Sequence, residues 1–356
     1  MIQGKISDQV LARYPRLLTE NNQRMSEPWY SVDEHTHGRF KFKAPLSAEI
    51  LSSFRGRRYG GGGVGFDPND FMISHEDWVR TESEAFVNPR AIDANYDENL
   101  RRHVFHLIRE LFDKAQDFPI VDKRNLLKLI VDEQPFGADR VPVKIEGKKL
   151  PVTVYSARMA PRTMHATAYY QTHASTPMKT VLELGGGFGR CLRDCLSINS
   201  IETAYYVDLP LNVGLAAAYL EACFPGRVNL VWDAQDEIIL GKINILVPWL
   251  IDKINEPIDL MINFLSLQHM PQVTMNHYFD TLISPKVKYL YHENRMQPRS
   301  QHEGEGSLLN VAARQQFTIH AGPEMETNLS YNTAGKKIGL APTIVAEFLV
   351  NKALQV

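Results

Sequence analysis

The sequence predicts an α/β protein in which a parallel sheet carries helices on both faces and a mainly helical domain precedes it. Three observations lead there. From residue 178 onward, short apolar runs alternate with stretches of helical period, the pattern of successive β-α-β units. The first such run, Val181 to Leu184, hands over directly to Gly185-Gly-Gly187-Phe-Gly189, placing glycines where a strand turns into its helix. Ahead of residue 150 the period is helical instead: Leu100, Val104, Leu107, Leu111 and Ala115 share one face, and Leu126, Leu127, Ile130 and Val131 another. The expected architecture is a Rossmann-like domain over 151–356 behind a mainly helical N-terminal domain over 1–150, the latter with a lid, substrate-binding or oligomerisation role.

Taken in order, residues 139–155 read as a hairpin, with "EGKK" turning between VPVKI and LPVTVY. Residues 155–174 form a segment leading into the first strand. Strands are expected at 180–184, 203–208, 228–232, 258–264 and 287–292. After the first, Phe188, Cys191, Leu192, Cys195 and Leu196 recur at helical spacing. After the second, Pro210 suits a first helical turn, and Leu211, Leu215, Ala218, Tyr219 and Ala222 give that helix its face. The tail "PTIVAEFLV" adds a late strand, expected to pair antiparallel at the sheet edge.

Composition narrows the partners. The chain's 39 basic and 41 acidic residues nearly cancel, so no whole-chain field draws it to nucleic acid or to an anionic membrane. A small molecule is the expected partner, together with a second copy of the chain in a homo-oligomer. Three cysteines, Cys191, Cys195 and Cys223, make an odd, sparse set suited to a reducing compartment and to packing as small hydrophobes. The first residues, MIQGKISDQVLARYPR, contain no signal-peptide core, and the longest apolar run, Ile243 to Ile251, is broken by Pro248. That run is far shorter than the roughly 20 residues of a membrane helix. A soluble, cytoplasmic protein is expected.

The glycines decide the chemistry by elimination. A dinucleotide loop, G-x-G-x-x-G, needs a third small residue, but counting from Gly185 or Gly187 that position falls on Arg190 or Leu192. No Gly-Lys-Ser/Thr follows, so a phosphate-binding Walker loop is excluded as well. What remains is Glu183-Leu-Gly185-Gly-Gly187-Phe-Gly189, an acid at the strand end that would repel a pyrophosphate and attract a cation. S-adenosyl-L-methionine carries a sulfonium and an ammonium and no phosphate. The pattern E-x-G-x-G-x-G resembles the first motif of class I S-adenosylmethionine-dependent methyltransferases.

More widely, "LELGGGFGR", "YYVDLP", "DLMINFLSLQHMP" and "YLYHENR" make residues 155–300 similar to the sugar O-methyltransferase family. Gln268-His269-Met270 departs from that family, which has an acidic residue before the methionine. The resemblance implies a cofactor site built from Glu183, Gly185, Gly187 and Gly189, with Asp208 holding the ribose hydroxyls beside Leu209. It implies further that Asp233 and Ala234 meet the adenine, that Asn263 lines the same site, and that Tyr155, Arg158 and Arg162 face the methionine carboxylate. The catalytic base is expected from one of two strand ends, as His269 or Glu293, with Asn294 and Arg295 towards the acceptor.

A second glycine run, Arg58 to Asp67, has no strand ahead of it. With Arg55, Arg57 and Arg58 alongside it reads either as a lid gripping an anionic acceptor such as a nucleotide sugar or as a plain solvated loop. His35, His37, His103 and His106 lack a local third ligand and read as surface or packing histidines, so no metal site is assigned, and a carboxylate-held magnesium stays open. The expected activity is S-adenosylmethionine-dependent O-methyl transfer to a hydroxyl of a sugar or sugar-containing small molecule. Two alternatives stand beside it: an NAD(P)-dependent Rossmann oxidoreductase, and a non-catalytic methyltransferase-like subunit.

Overall fold

A computed structural model describes residues 5–24, 46–55, 96–116, 122–134, 136–138 and 140–294, the single positions 306 and 308, and the strand residues 317–325, 330–331, 337–339 and 344–351. Among the described residues the N-terminal part contributes the helices α1 (Lys5–Gln23), α2 (Ala48–Ser53), α3 (Tyr96–Ala115) and α4 (Lys123–Ile130), and a hairpin, β1 (Val141–Ile145) with β2 (Lys148–Val152). The hairpin turns on Glu146 and Gly147, both at positive φ, and pairs Val141 with Val152. Helix α5 (Val154–His173) follows, its start fixed by a capping box in which Thr153 and Ser156 each bond the other's backbone N–H.

The main sheet then builds as β3 (Thr180–Leu184), α6 (Arg190–Ile198), β4 (Thr203–Val207), α7 (Pro210–Cys223), β5 (Val228–Val231), β6 (Ile243–Leu246), β7 (Ile258–Phe264), α8 (Gln272–Tyr278), α9 (Ser284–Lys286) and β8 (Val287–Asn294). The late strands are β9 (Phe317–Met325), β10 (Ser330–Tyr331), β11 (Lys337–Gly339) and β12 (Ile344–Asn351). Eight strands make one sheet in the order β5-β6-β4-β3-β7-β8-β12-β9, while β10 and β11 pair separately. The six strands from β5 to β8 run parallel, and β12 lies antiparallel between β8 and β9.

Two expectations change. The tail strand is antiparallel but internal, since β9 covers its outer side. And Ile243–Leu246, counted in the sequence only as part of an apolar run, is a fully buried strand lying between β4 and β5. No helix separates β5 from β6. The connection is fastened instead by Asn244, fully buried, whose Oδ1 accepts from Ile239 N at 2.9 Å and from Asn229 Nδ2 at 2.8 Å, while its Nδ2 donates to Ile239 O at 3.0 Å.

The sheet's two faces bury different cores. Val181, Ala204, Tyr206, Ile243, Ile245, Leu260 and Ile262 face α5, α6 and α7; Leu182, Leu184, Tyr205, Val207, Leu246 and Met261 face α8 and the turns around it. The first core does not stop at residue 150, because Val10, Tyr14, Leu17, Leu46, Leu51 and Phe54 belong to it. Helix α1 covers α7, which is consequently buried all round. Gly214 lets the N-terminal segments approach α7 closely, since a Cβ there would meet Leu46 at 2.6 Å and Val10 at 3.6 Å. Helix α5 is shared too, giving Met159, Ala166 and Tyr170 to the sheet and Ala157, Ala160, Met164 and Ala168 to a third core with α3, α4 and the hairpin. Among the described residues no helix is long and apolar enough to cross a membrane.

Candidate functional site

The carboxyl ends of the parallel strands converge on the glycine loop. Gly185, Gly187 and Gly189 all take positive φ, values of 67°, 65° and 81°, so the turn from β3 into α6 is open only to residues without a Cβ penalty. The space beside them differs. A Cβ on Gly185 would meet Ser266 Oγ at 1.9 Å, whereas one on Gly187 would meet nothing within 4 Å, so that edge of the loop is open for a ligand.

Asp208, one residue beyond β4, closes the same mouth. Its Oδ2 accepts from Gly187 N at 3.0 Å and from Tyr206 Oη at 2.9 Å, and its Oδ1 from Leu209 N at 2.7 Å and Asn212 Nδ2 at 3.0 Å. Burial pushes its pKa up to about 6, against the pull of these four donors. Tyr206 Oη shares its single proton between Asp208 Oδ2 and Gly187 O, which ties strand end and loop together. An acid aimed at a glycine loop from the neighbouring strand end fits a ligand with vicinal hydroxyls.

Glu183 departs from the sequence expectation. It is 1 % exposed and points beneath the loop, where its Oε2 accepts from Leu192 N at 3.0 Å. Asp233 and Ala234 also stand elsewhere than expected, because they follow β5, and β6 intervenes between β5 and β4. Two strand spacings of roughly 4.8 Å separate β5 from β4. Asp233 binds Arg13 at 2.8 Å and Arg16 at 3.4 Å instead, and Ala234 O accepts from Lys253. The strand end next to Asp208 is Val247-Pro248-Trp249, and the buried Trp249 Nε1 has no hydrogen-bond partner among the described residues.

On the other side of β3, the end of β7 makes a sharp turn. Leu265 adopts φ 62°, a strained conformation for a large side chain, with its N–H donating to Glu293 O at 3.0 Å. That turn brings Ser266 against Gly185. Asn263 and Asn294, expected to face cofactor and acceptor, are spent on holding the turn. Asn263 Nδ2 donates to Leu184 O at 2.7 Å, its Oδ1 accepts from Leu267 N at 3.1 Å and Asn294 Nδ2 at 2.9 Å, and Asn294 Oδ1 accepts from Gln268 N at 3.2 Å. His269 ends the following short 3-10 turn, Leu267–His269.

Glu293 is buried on the opposite face of β8, where Arg162 Nε binds its Oε2 at 2.7 Å and Tyr291 Oη donates to its Oε1 at 3.3 Å. Arg162 is thus committed to Glu293. Tyr155 lies over the loop's Phe188, ring centroids 5.0 Å apart, and Arg55 stacks on that same ring at 4.8 Å. Arg57, Arg58, Arg295, His35 and His37 lie outside the described residues, as do the side chains of Arg158, His269 and His103; His106 is on the exposed face of α3. Sequence reasoning missed Ser266, Tyr206, Asn212 and Trp249. Only Asn212 carried a signal, one helical turn beyond Asp208.

This strand order, with a reversed strand set inside the far edge of a parallel sheet and a glycine turn after β3, is the Rossmann-like class I methyltransferase fold. No family model matches the sequence, and no curated protein does. Among solved structures the chain is similar to magnesium protoporphyrin IX methyltransferase from Synechocystis PCC 6803 with bound SAM, at 14% identity and TM-score 0.35, over 55% of this chain and 83% of that one. It is similar to TrmK of M. capricolum in complex with S-adenosyl-homocysteine, at 9% identity and TM-score 0.33, over 52% and 68%. It is also similar to the mitomycin 7-O-methyltransferase MmcR, at 13% identity and TM-score 0.34, over 55% of this chain and 56% of that one. Likeness at this level adds nothing about activity.

Proposed function

We propose that the chain is an S-adenosylmethionine-dependent methyltransferase acting on a hydroxyl of a sugar or sugar-containing small molecule. The observation that carries the reading is the joint mouth of β3 and β4, where Asp208 Oδ2 meets Gly187 N at 3.0 Å beside a glycine edge with no neighbour within 4 Å. There the carboxylate takes both ribose hydroxyls, exchanging them for the Tyr206 and Asn212 donors that hold it now. The Val247–Trp249 turn at the end of β6 takes the adenine side in place of Asp233. Bound in this mouth, the cofactor supplies a methyl group already activated by its sulfonium.

The remaining work belongs to the chain's own residues. Positioning of the acceptor falls to the β7 and β8 ends, where Ser266 and the turn carrying His269 stand beside the loop. Removal of the hydroxyl proton falls to His269, whose ordinary pKa of about 6.5 suits a base at neutral pH. Glu293 is the weaker choice, since its Oε2 already binds Arg162 at 2.7 Å. The sugar acceptor rests on the motif resemblance and on the balanced charge.

Calorimetry with S-adenosylhomocysteine and with NADH tests the cofactor. Binding of the first and not the second is expected, and the reverse result replaces the reading with an oxidoreductase. Mass spectrometry of sugars, nucleotide sugars and glycosylated metabolites after incubation with the methyl donor tests the acceptor: a mass gain of one methyl group on a sugar hydroxyl is expected. Cofactor binding without turnover across the panel favours a non-catalytic subunit.

A further inference from the structure

The acid of the E-x-G-x-G-x-G motif stands in the wrong place to do what its charge suggests. Glu183 is 1 % exposed, on the face of β3 that turns away from the open edge of the loop and towards α6. Its carboxyl group lies directly behind Gly186: a Cβ built there would meet Glu183 Cδ at 2.2 Å, Oε1 at 2.5 Å and Oε2 at 2.6 Å. The backbone of the loop thus rests on the carboxyl group itself. From the other side, the only described donor is Leu192 N, at 3.0 Å, in the first turn of α6.

What surrounds the group is unfavourable to a negative charge. Among the described residues no lysine, arginine or histidine forms an ion pair with Glu183. Among the described residues the titratable neighbours are Tyr206 on β4 and Asp208 just beyond it, Asp194, Cys191 and Cys195 from α6, and Tyr155 from α5, none of which is a cation. On the α5 side, the Arg162 guanidinium is taken by Glu293. Burial holds the Glu183 pKa well above the usual carboxylate range, the Leu192 N–H pulls the other way, and the Asp208 and Asp194 carboxylates add to the rise. Desolvating an unpaired carboxylate costs several kcal/mol, and a buried acid avoids that cost by keeping its proton.

We propose that Glu183 is a positioning residue, an uncharged carboxyl group wedged between Gly186 and the start of α6 that sets the height of the glycine loop, and not a counter-charge for a cationic ligand. This rests on the reading of the loop as an S-adenosylmethionine site, but its first test does not. The infrared difference spectrum of the ligand-free protein minus E183Q, at neutral pH, should contain the carbonyl stretch of a protonated carboxylic acid. Its absence overturns the proposal whether or not any cofactor binds.

Affinity supplies the second test, because S-adenosylmethionine carries a sulfonium charge that S-adenosylhomocysteine lacks. An amide keeps the size of the acid and an acceptor for Leu192 N, so E183Q should bind both ligands within about threefold of the parent, with their ratio unchanged. E183A, which leaves the loop without its support, should weaken both by at least roughly tenfold and by the same factor. If E183Q loses roughly tenfold or more for S-adenosylmethionine while sparing S-adenosylhomocysteine, Glu183 is a counter-charge and the proposal fails. Should E183A not fold, E183Q and the infrared band decide alone. A parent that binds neither ligand removes the cofactor reading and leaves the infrared result to judge the uncharged acid.

Discussion

Asp208 is where a single residue's chemistry reads out most directly. Its raised pKa, about 6, means that folding favours its protonated form, so its contribution to stability is fully present below the ordinary value of 3.8 and is lost as pH rises through about 6. Ribose hydroxyls need the opposite form, the carboxylate. Cofactor affinity should therefore be flat above about pH 7 and fall as pH drops through about 6, approaching tenfold per unit. Calorimetry of S-adenosylhomocysteine across that range checks it, and Asp208→Asn should remove the dependence along with roughly 1.5–3 kcal/mol of binding. Beside it, Gly185→Ala combines a Cβ at φ 67° with an approach of 1.9 Å to Ser266 Oγ, and Ser266 is held by the turn around Leu265. The variant should lose cofactor binding and some thermal stability, and Ser266→Ala in the same chain should restore only part of either, because the backbone strain stays. Full binding by Gly185→Ala would mean that the loop is not packed as described. The glycines were legible because they sit in one contiguous motif, and Asp208 because it closes the next apolar strand. Ser266 was not, since its place follows from a positive φ at Leu265 that no propensity foretells.

At the level of elements, strands bounded by helices were legible and the strand without one was not. Val181 to Leu184 and Ile258 to Phe264 announce themselves through the helical period that follows or the breakers that flank them. Ile243–Leu246 has no such contrast, because the connection from β5 is irregular and its order comes from two asparagines, the buried Asn244 and the half-buried Asn229. Missing that strand moved Asp233 into the adenine site on paper, when in the fold it pairs with α1. The same asparagines give a test. Asn244→Leu would leave the Ile239 N–H without its acceptor and take one bond each from the Ile239 C=O, which keeps Lys242 N at 3.3 Å, and from Asn229 Nδ2, which keeps Glu237 O at 2.8 Å, at a cost of roughly 1–3 kcal/mol for the group left unsatisfied. Denaturant unfolding should show a clear loss of stability, and a neutral result would mean that the connection holds by other contacts. On the far side, Leu265→Gly relieves a left-handed leucine worth roughly 1–2 kcal/mol of strain. It should raise the thermal midpoint while lowering turnover, if the strain is what presses Ser266 and the His269 turn towards the acceptor.

The whole molecule is organised around a charge cluster that neither half could keep alone. Asp132, 1 % exposed, receives Arg55 at 2.8 Å from the segment after α2 and Arg190 at 3.4 Å from the start of α6, with Thr153 Oγ1 donating to the same Oδ2 at 2.9 Å. Arg55 also lies over Phe188, the one side chain inside the glycine loop, whose ring meets Phe54, Tyr155 and Tyr219. Packing therefore runs from the N-terminal helices through one buried carboxylate to the loop. The change of period near residue 150 was legible. The shared core was not, because it depends on which apolar faces meet, and periodicity says only that each helix has one. Burial raises the Asp132 pKa, but Arg55 and Arg190 outweigh it and hold the group below 3.8. The sign is then that of a depressed acid: its contribution is present above about 3.8 and is lost as pH falls through the lower folded value. Asp132→Asn leaves the buried Arg55 without its counter-charge, while Arg190 keeps Asp194 at 3.0 Å, and should cost roughly 3–5 kcal/mol, removing part of the acid limb of the stability profile. Because the cluster also seats Phe188, the variant should weaken S-adenosylhomocysteine binding at temperatures where circular dichroism still shows it folded. Val143→Ala, a core change in the hairpin, supplies the control: it should lower the thermal midpoint and leave that affinity alone. If both variants lower stability and neither moves the affinity, the cluster joins the halves without holding the loop.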